Sequence, residues 1–292
     1  MEDQLKQDRR RKSEIALSNV YNLPAMSATM LEVSKLLDDP STNTAALSRM
    51  IGKDQGLSTK ILSIANSPLY GLTRKVSTID FAILIIGYQD IKNIVVALTM
   101  VDSFKNKSDK YLDQKEFWVH SMLAGTACKR VAEDLGFRIG SEAFVAGLLH
   151  DLGVPVMHKF FRNEFELISD EVRNQNASLL ETERKYLGLD HQEIGNFLAN
   201  KWHLPEHLSN CILYHHVPGS SLENDVLTSI VHLVDYMTQK LDIGTFYLDK
   251  GSALDTSVLG TLGISSEEEL NSFIESYREL FTNEVKSDLF IK

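Results

Sequence analysis

"KEFWVHSMLAGTACKRVAEDLG" (residues 115–136) carries its apolar residues at helical rather than two-residue spacing, so it reads as an amphipathic or buried helix. The same holds downstream for "SEAFVAGLLHDLG" (141–153), "VMHKFFRNEFELISDEVRN" (156–174), "SLLETERKYLG" (178–188), "DHQEIGNFLANKWHLP" (190–205), "EHLSNCILYHH" (206–216) and "VLTSIVHLVDYMTQKLD" (226–242). "SSEEELNSFIESYRELFTNEV" (265–285) opens on a capping box, Ser266 to Glu269, and its stripe of Leu270, Phe273, Ile274, Tyr277 and Phe281 predicts a helix docked on a core. Upstream, "SATMLEVSKLLDDP" (27–40) has Ser27 as N-cap and Asp39-Pro40 as a stop. "TNTAALSRMIGKD" and "GLSTKILSIANSPLYG" read as two further helices, the second breaking at Asn66-Ser67-Pro68. "STIDFAILIIGYQDIKNIVVALTMVDSF" reads as two apolar helices pivoting near Gly87. Hardly any segment alternates as a strand does. The fold class is all-α: a helical first lobe (13–107), a polar joint at "KNKSDKYLDQ" (105–114), and a multi-helix bundle with C-terminal helices (108–292).

Composition narrows the function classes. A chain of 292 residues with 43% hydrophobic and 24% charged residues is that of a soluble globular protein, one large domain or two sharing a core. The N-terminus, "MEDQLKQDRRRKSE", is too charged for a signal peptide. The most apolar window, Ile79 to Val101, is interrupted by Asp80, Asp90 and Lys92, which argues for buried helices rather than a membrane span. Cys128 and Cys211 give no disulfide framework and suit a reducing cytoplasm. A formal net charge of −10 disfavours a nucleic-acid partner, and the local run "RRRK" (9–12) reads as a solvated helix start.

The chain has nine histidines, and their placement carries the chemistry. His120 follows Glu116 by four residues, so the two share a helix face. His150-Asp151 lies on another helix, His191 opens a third, and His215-His216 ends a fourth. Asp235 falls mid-helix among apolar residues in "HLVDYM", where an unpartnered carboxylate is costly. Histidines and carboxylates drawn from several helices suit a transition-metal site with water in its open positions. Two ions about 3.5–4 Å apart would activate water and clamp a phosphate.

His120, then His150-Asp151, then Asp235 resembles the signature of the HD superfamily of metal-dependent phosphohydrolases, whose fold is a helical bundle around a divalent metal. The chain resembles one branch more closely, the HDOD domain of bacterial signalling proteins, from Leu23 to about Tyr236. "LPAMSATMLEVSKLL", "LSTKILSIANSPLYG", "STIDFAILIIGYQDI", "EFWVHS", "GLLHDLG", "HQEIGNFLANKWHLP" and "LYHH" carry that resemblance in order. One departure is Asp54-Gln55, where the branch commonly has Asp-Pro; it touches a helix start only. The resemblance implies a cytoplasmic regulatory module acting through a signalling protein partner, with a homodimer as an open alternative. Since no receiver, kinase or cyclase segment is read here, input and output are expected from elsewhere.

The cyclic-di-GMP phosphodiesterases of the related HD-GYP branch imply a fuller ligand set: Glu116, His120, His150, Asp151, His191, His215, His216 and Asp235, holding one or two ions of iron, manganese or zinc. Two of that branch's parts are missing. Val154 replaces the lysine after the HD pair, and "VPGSS" replaces the Gly-Tyr-Pro element. The alternative reading is therefore a metal-dependent phosphohydrolase of nucleotides or cyclic dinucleotides. His120, His150, Asp151 and Asp235 would hold the metal, and Asp151 would be the catalytic residue orienting a bound hydroxide. Lys159, Arg162 or Lys201 would then supply the cation for phosphate. A third reading is a metal that ties helices together structurally.

Plainer roles compete at each position. His150-Asp151 can be a structural pair, with the aspartate accepting hydrogen bonds. Glu116 can be solvated, and His191, His215 and His216 can be hydrogen-bonded core groups, since adjacent helix residues point about 100° apart. Pro205 between His203 and His207 predicts a turn rather than a ligand pair. His232, one turn before Asp235, reads as packing, with an outer-shell role as the alternative. His158 has no evident partner, Asn66 and Ser67 read as turn formers, and Trp118 and Trp202 as core aromatics.

Overall fold

A computed structural model describes residues 2–18, positions 32, 36 and 39, and 42–286, apart from 71, 73, 89, 92–93, 96, 99–106, 176, 203, 222–224 and 250–252. The helix expected over 27–40 (positions 32, 36 and 39 apart), most of the helix after Gly87, part of the polar joint, and His203 lie outside the described residues. Helix α1 (Glu2–Ser18) precedes three first-lobe helices: α2 (Thr44–Ile51), α3 (Gln55–Ala65) and α4 (Ile79–Ile86). The bundle follows with α5 (Gln114–Asp134), α6 (Gly140–Leu149), α7 (Gly153–Phe160), α8 (Arg162–Gln175), α9 (Leu179–Leu187), α10 (His191–Lys201), α11 (Glu206–Tyr214) and α12 (Asp225–Leu241). The short α13 (Ser257–Leu262), then α14 (Glu267–Ser276) and α15 (Arg278–Lys286), complete it. No strand occurs among the described residues, and no described helix is long and apolar enough to cross a membrane.

Side-chain caps set many of the helix starts. Asn43, Asp54, Thr78, Asp113, Ser178, Asp190 and Ser266 each accept from a backbone N–H in the first turn of the helix that follows. Asp54 thus begins α3 with its own side chain, and Gln55 serves as the first helical residue. At Ser266 the return arm is displaced by one residue, because Glu269 accepts from Ser265 N rather than from Ser266 N. The expected C-terminal helix breaks at Tyr277, whose buried ring and hydroxyl bond to Asp134 (2.6 Å) anchor the junction of α14 and α15. Asn66 ends α3 and ties it to the next loop: its Nδ2 donates to Leu62 O and Val76 O, and its Oδ1 accepts from Val76 N. It is the turn former the sequence indicates.

One buried apolar cluster runs from Leu47, Ile61 and Ile83 of the first lobe through Leu123, Leu148 and Val234 to Phe281. A second gathers Leu17, Phe117, Val154, Phe165 and Ile194. Trp118 and Trp202, partly buried, pack against both. Glycines let the helices that frame these clusters approach closely. A Cβ on Gly147 would sit 2.7 Å from Ala124 O, and one on Gly125 2.9 Å from Phe144 O, so α5 and α6 touch backbone to backbone. A Cβ on Gly153 would overlap the carbonyl of His191, which brings the start of α7 onto the start of α10.

Candidate metal centre

These close approaches converge seven side chains in the bundle's middle. His120 comes from α5, His150 and Asp151 from the corner between α6 and α7, His191 from the first position of α10, His215 and His216 from the end of α11, and Asp235 from α12. His150 and His215 cap their helices rather than lying within them, and Asp151 sits in the following turn. That corner lets neighbours in sequence face one centre. None of the seven side chains is more than 8% exposed.

The donors fall into two groups of potential ligands, His120–His150–Asp235 and Asp151–His191–His215–His216. Asp151 faces both. Its Oδ2 lies 3.3 Å from His150 Nε2 and 3.7 Å from His120 Nε2, while its Oδ1 lies 3.4 Å from His191 Nε2 and 3.5 Å from His215 Nε2. Asp235 reaches His120 with Oδ1 and His216 with Oδ2, each at 3.9 Å. Glu116 does not join them. It is exposed in the first turn of α5, where solvent and the positive helix N-terminus favour a carboxylate, so the shared face with His120 does not make it a ligand.

Four of the rings are oriented from behind. The Nδ1 of His120 meets Gly244 O (3.0 Å), that of His150 meets Gly147 O (2.7 Å), and that of His215 meets Ile212 O (2.8 Å). His191 Nδ1 lies 2.8 Å from Glu183 Oε2. Carbonyl and carboxylate oxygens only accept, so each Nδ1 carries the hydrogen and a neutral ring turns a lone pair on Nε2 inward. Yet Nε2 atoms lie only 3.3 Å apart between His120 and His150, and 3.3 Å apart between His191 and His215. Two neutral rings would face lone pair to lone pair there, so an added proton or a bound cation has to lie between them. Asp235 Oδ1 is buried without a hydrogen-bond partner. Ligands on one tetrahedral ion at about 2.1 Å stand about 3.4 Å apart, so spacing and donor chemistry both fit divalent cations.

The HDOD domain family matches residues 23–218, a span that includes six of the seven converged side chains and ends before Asp235. The chain belongs to the HDOD family. A crystal structure of an HDOD domain protein of unknown function from Geobacter sulfurreducens is 25% identical, with a TM-score of 0.78 over 98% of this chain and 99% of that one. A Shewanella amazonensis SB2B chain classed only provisionally as a phosphohydrolase shares the fold at 24% identity, with a TM-score of 0.70 over 93% and 97%. An uncharacterized protein of Treponema pallidum (strain Nichols) is 24% identical across 91% of this chain; the chain spans about half, 51%, of that curated relative's length.

Charge in this HDOD centre is divided unevenly. Burial disfavours a proton on every ring, and it prevails at His120, His215 and His216, whose pKa values fall. At His150 burial is outweighed by Asp151, and at His191 by Glu183, so each rises to about 9. Burial also opposes the charge on Asp151, but His150 holds it well below the usual carboxylate range. Burial lifts Glu183.

Two supporting residues have weak sequence signals. Glu183 is fully buried eight positions before His191, and its only local signal is a glutamate on the apolar side of α9. His232 is buried one turn before Asp235 and links two segments: its Nδ1 donates to the backbone oxygen of His215 (2.7 Å), and its Nε2 accepts from Asp255 N (2.8 Å). His158 has a partner after all, Asp109 Oδ2 at 2.8 Å. Arg162 is engaged with the same Asp109 and with Glu166, and Lys201 lies over the Phe197 ring.

Proposed function

We propose that this HDOD protein is a metal-loaded signalling module that acts by protein interaction, its centre clasping α5, α6, α7, α10, α11 and α12 into one arrangement. The carrying observation is a well-furnished but closed ligand set. Seven donors are in place, all but enclosed, while Val154, where phosphodiesterase relatives carry a lysine, is buried in apolar packing. Phosphoester hydrolysis needs an open coordination position reached by substrate, and a cation helps it hold phosphate. Leu84, 74% exposed, and Phe81 three residues before it on α4 offer a partner protein an apolar contact.

His120, His150, Asp151 and Asp235 would hold one ion, and Asp151, His191, His215 and His216 a second. A bound divalent ion supplies charge to join these groups and, in an open site, an activated water. Asp151 presents one oxygen to each group, and the carbonyls behind His120, His150 and His215 fix the ring orientations. Phosphohydrolase activity is the second reading, favoured by Asp151 standing between the groups and by His216 being the most exposed of the seven side chains.

The test pairs metal content with turnover. Protein purified without chelator is assayed for iron, manganese and zinc beside His150→Ala/Asp151→Ala, and both are offered bis(p-nitrophenyl) phosphate. The proposal expects near-stoichiometric metal in the wild type alone, a lower melting temperature after chelation, and no turnover. Sustained metal-dependent hydrolysis would transfer the centre to the enzyme reading. Wild type without metal, even after soaking, would end the metal-loaded reading.

A further inference from the structure

Helix α1 lies outside residues 23–218, the extent of the family match. It nonetheless grips the corner that carries His191. Ser13 Oγ donates to Leu187 O at 2.8 Å, and Arg9 donates to Lys185 O. Gly188, at φ +72, lies against the backbone of Arg10, where a Cβ would overlap it. Arg10 Nη1 pairs with Glu193 Oε1 at 2.7 Å. The other oxygen of Glu193 accepts from Asp190 N at 3.2 Å, and Asp190 Oδ1 accepts from Glu193 N at 2.9 Å. This capping box starts α10, whose first residue is His191. Arg184 of α9 holds Asp190 Oδ2 from the other side at 2.9 Å.

The corner itself is built around Glu183. Oε2 accepts from both the backbone N–H of His191 (3.0 Å) and its Nδ1 (2.8 Å), and Oε1 lies 3.1 Å from Nδ1. The other three anchored rings of the centre rest on neutral carbonyls. His191 alone among these four is backed by a carboxylate, and that carboxylate belongs to the helix α1 grips. Helix α1 buries Ser13 and Leu17 while Leu5 and Ile15 stay about half exposed. It is held mainly by polar contacts, which release more readily than a buried apolar face.

We infer that Glu183 is a positioning residue for the His191 half of the centre, and that α1 clasps the α9–α10 corner and sets how firmly that half holds its ion. The inference rests on the two-ion reading. A docked α1 keeps Glu183 behind His191, with Nε2 aimed inward. Release of α1 frees the corner and weakens that half, while the His120–His150–Asp235 half, built on α5, α6 and α12, keeps its ligands.

Chelator-stripped full-length protein titrated with Co2+, followed by calorimetry and visible absorbance, tests this. His191→Ala and His120→Ala identify which equivalent belongs to which half. Glu183→Ala is expected to weaken the His191 equivalent by about 10–100-fold, the usual effect of removing an outer-shell partner. The other equivalent stays within about threefold. Glu183→Gln keeps an oxygen for Nδ1–H and the side-chain shape, so the chain folds. It still shifts the Co2+ absorbance of that equivalent, because the charge behind the ring is gone. Arg10→Glu, at a side chain that pairs with Glu14 and Glu193 rather than with a ligand, weakens the same equivalent a few-fold. Equal weakening of both equivalents, or none, in the Glu183 variants overturns the positioning role, and an unchanged Arg10→Glu overturns the clasp. Wild type binding fewer than two ions overturns the two-ion reading and this inference with it, whereas two ions with unaltered variants overturn the inference alone.

Discussion

Asp151 Oδ1 stands 3.4 Å from His191 Nε2, across a junction where the backbone of Gly153 lies directly on the carbonyl of His191. The contact holds Asp151 to the His191 half of the centre, and a hydrogen atom in place of a side chain at position 153 permits it. Gly195 adds to the fit, since a Cβ there would lie 2.8 Å from Ile212 Cγ2 and 3.4 Å from Gly153 N.

Gly153→Ala is therefore expected to push α7 off α10. Overpacking of this kind costs about 1–3 kcal/mol or more, so denaturant unfolding should show a loss of that size, with metal uptake at the His191 half reduced. Wild-type stability and uptake in the variant would show that the junction yields without cost.

Metal uptake is expected to strengthen with pH. His150 and His191 are both raised to about 9 in the metal-free protein, so at pH 7 each holds a proton that a metal must displace. The sign for metal-free stability is opposite. A histidine raised in the native state stabilises fully below its unfolded value near 6.5, and that contribution fades as pH rises toward about 9. Calorimetry in two buffers of different ionisation enthalpy should detect protons released at pH 7 and fewer above pH 9. No proton release at pH 7 would contradict the charge assignment.

Glu284 supplies a second pH dependence away from the centre. It is buried on α15, accepting from Ser67 Oγ (2.7 Å) and Thr126 Oγ1 (3.5 Å), and burial pushes it up to about 7 from 4.5. The native state thus keeps this proton longer than the unfolded chain, and the contribution present at pH 4 is lost between about 4.5 and 7. Glu284→Gln, which carries no charge to bury, should be more stable than wild type at pH 8 by about 1–3 kcal/mol. The two should converge near pH 4. A wild type that remains the more stable at pH 8 would refute this.

Asn66→Ala removes three side-chain hydrogen bonds at the end of α3, one to Leu62 O and two with Val76. Leaving those partly buried backbone groups unmatched should cost about 1–3 kcal/mol. Asn66→Asp, which accepts but cannot donate, should recover only the bond from Val76 N. Equal stability of all three proteins would show that water replaces the bonds.

Much of this architecture is written locally. Helical spacing and capping residues such as Asp54, Asp190 and Ser266 mark where helices run and begin, because each needs only neighbours within a turn or two. The histidines and aspartates of the centre were legible as a set because their order resembles a family signature, not because their spacing demanded it. Packing decided the rest. Glu116 and His120 share a face by periodicity, but α5 buries one and leaves the other in water. Glu183 meets His191, Asp109 meets His158, and Ser67 meets Glu284 across separations that no local period encodes. Those pairings depend on how closely helices approach, and Gly125, Gly147 and Gly153 set that approach only once their opposing backbones are in place. The sequence alone determined the helices and named the donors, because those follow from local order. Only the tertiary structure decided which donors share a centre and what stands behind them, because that follows from contacts between distant segments.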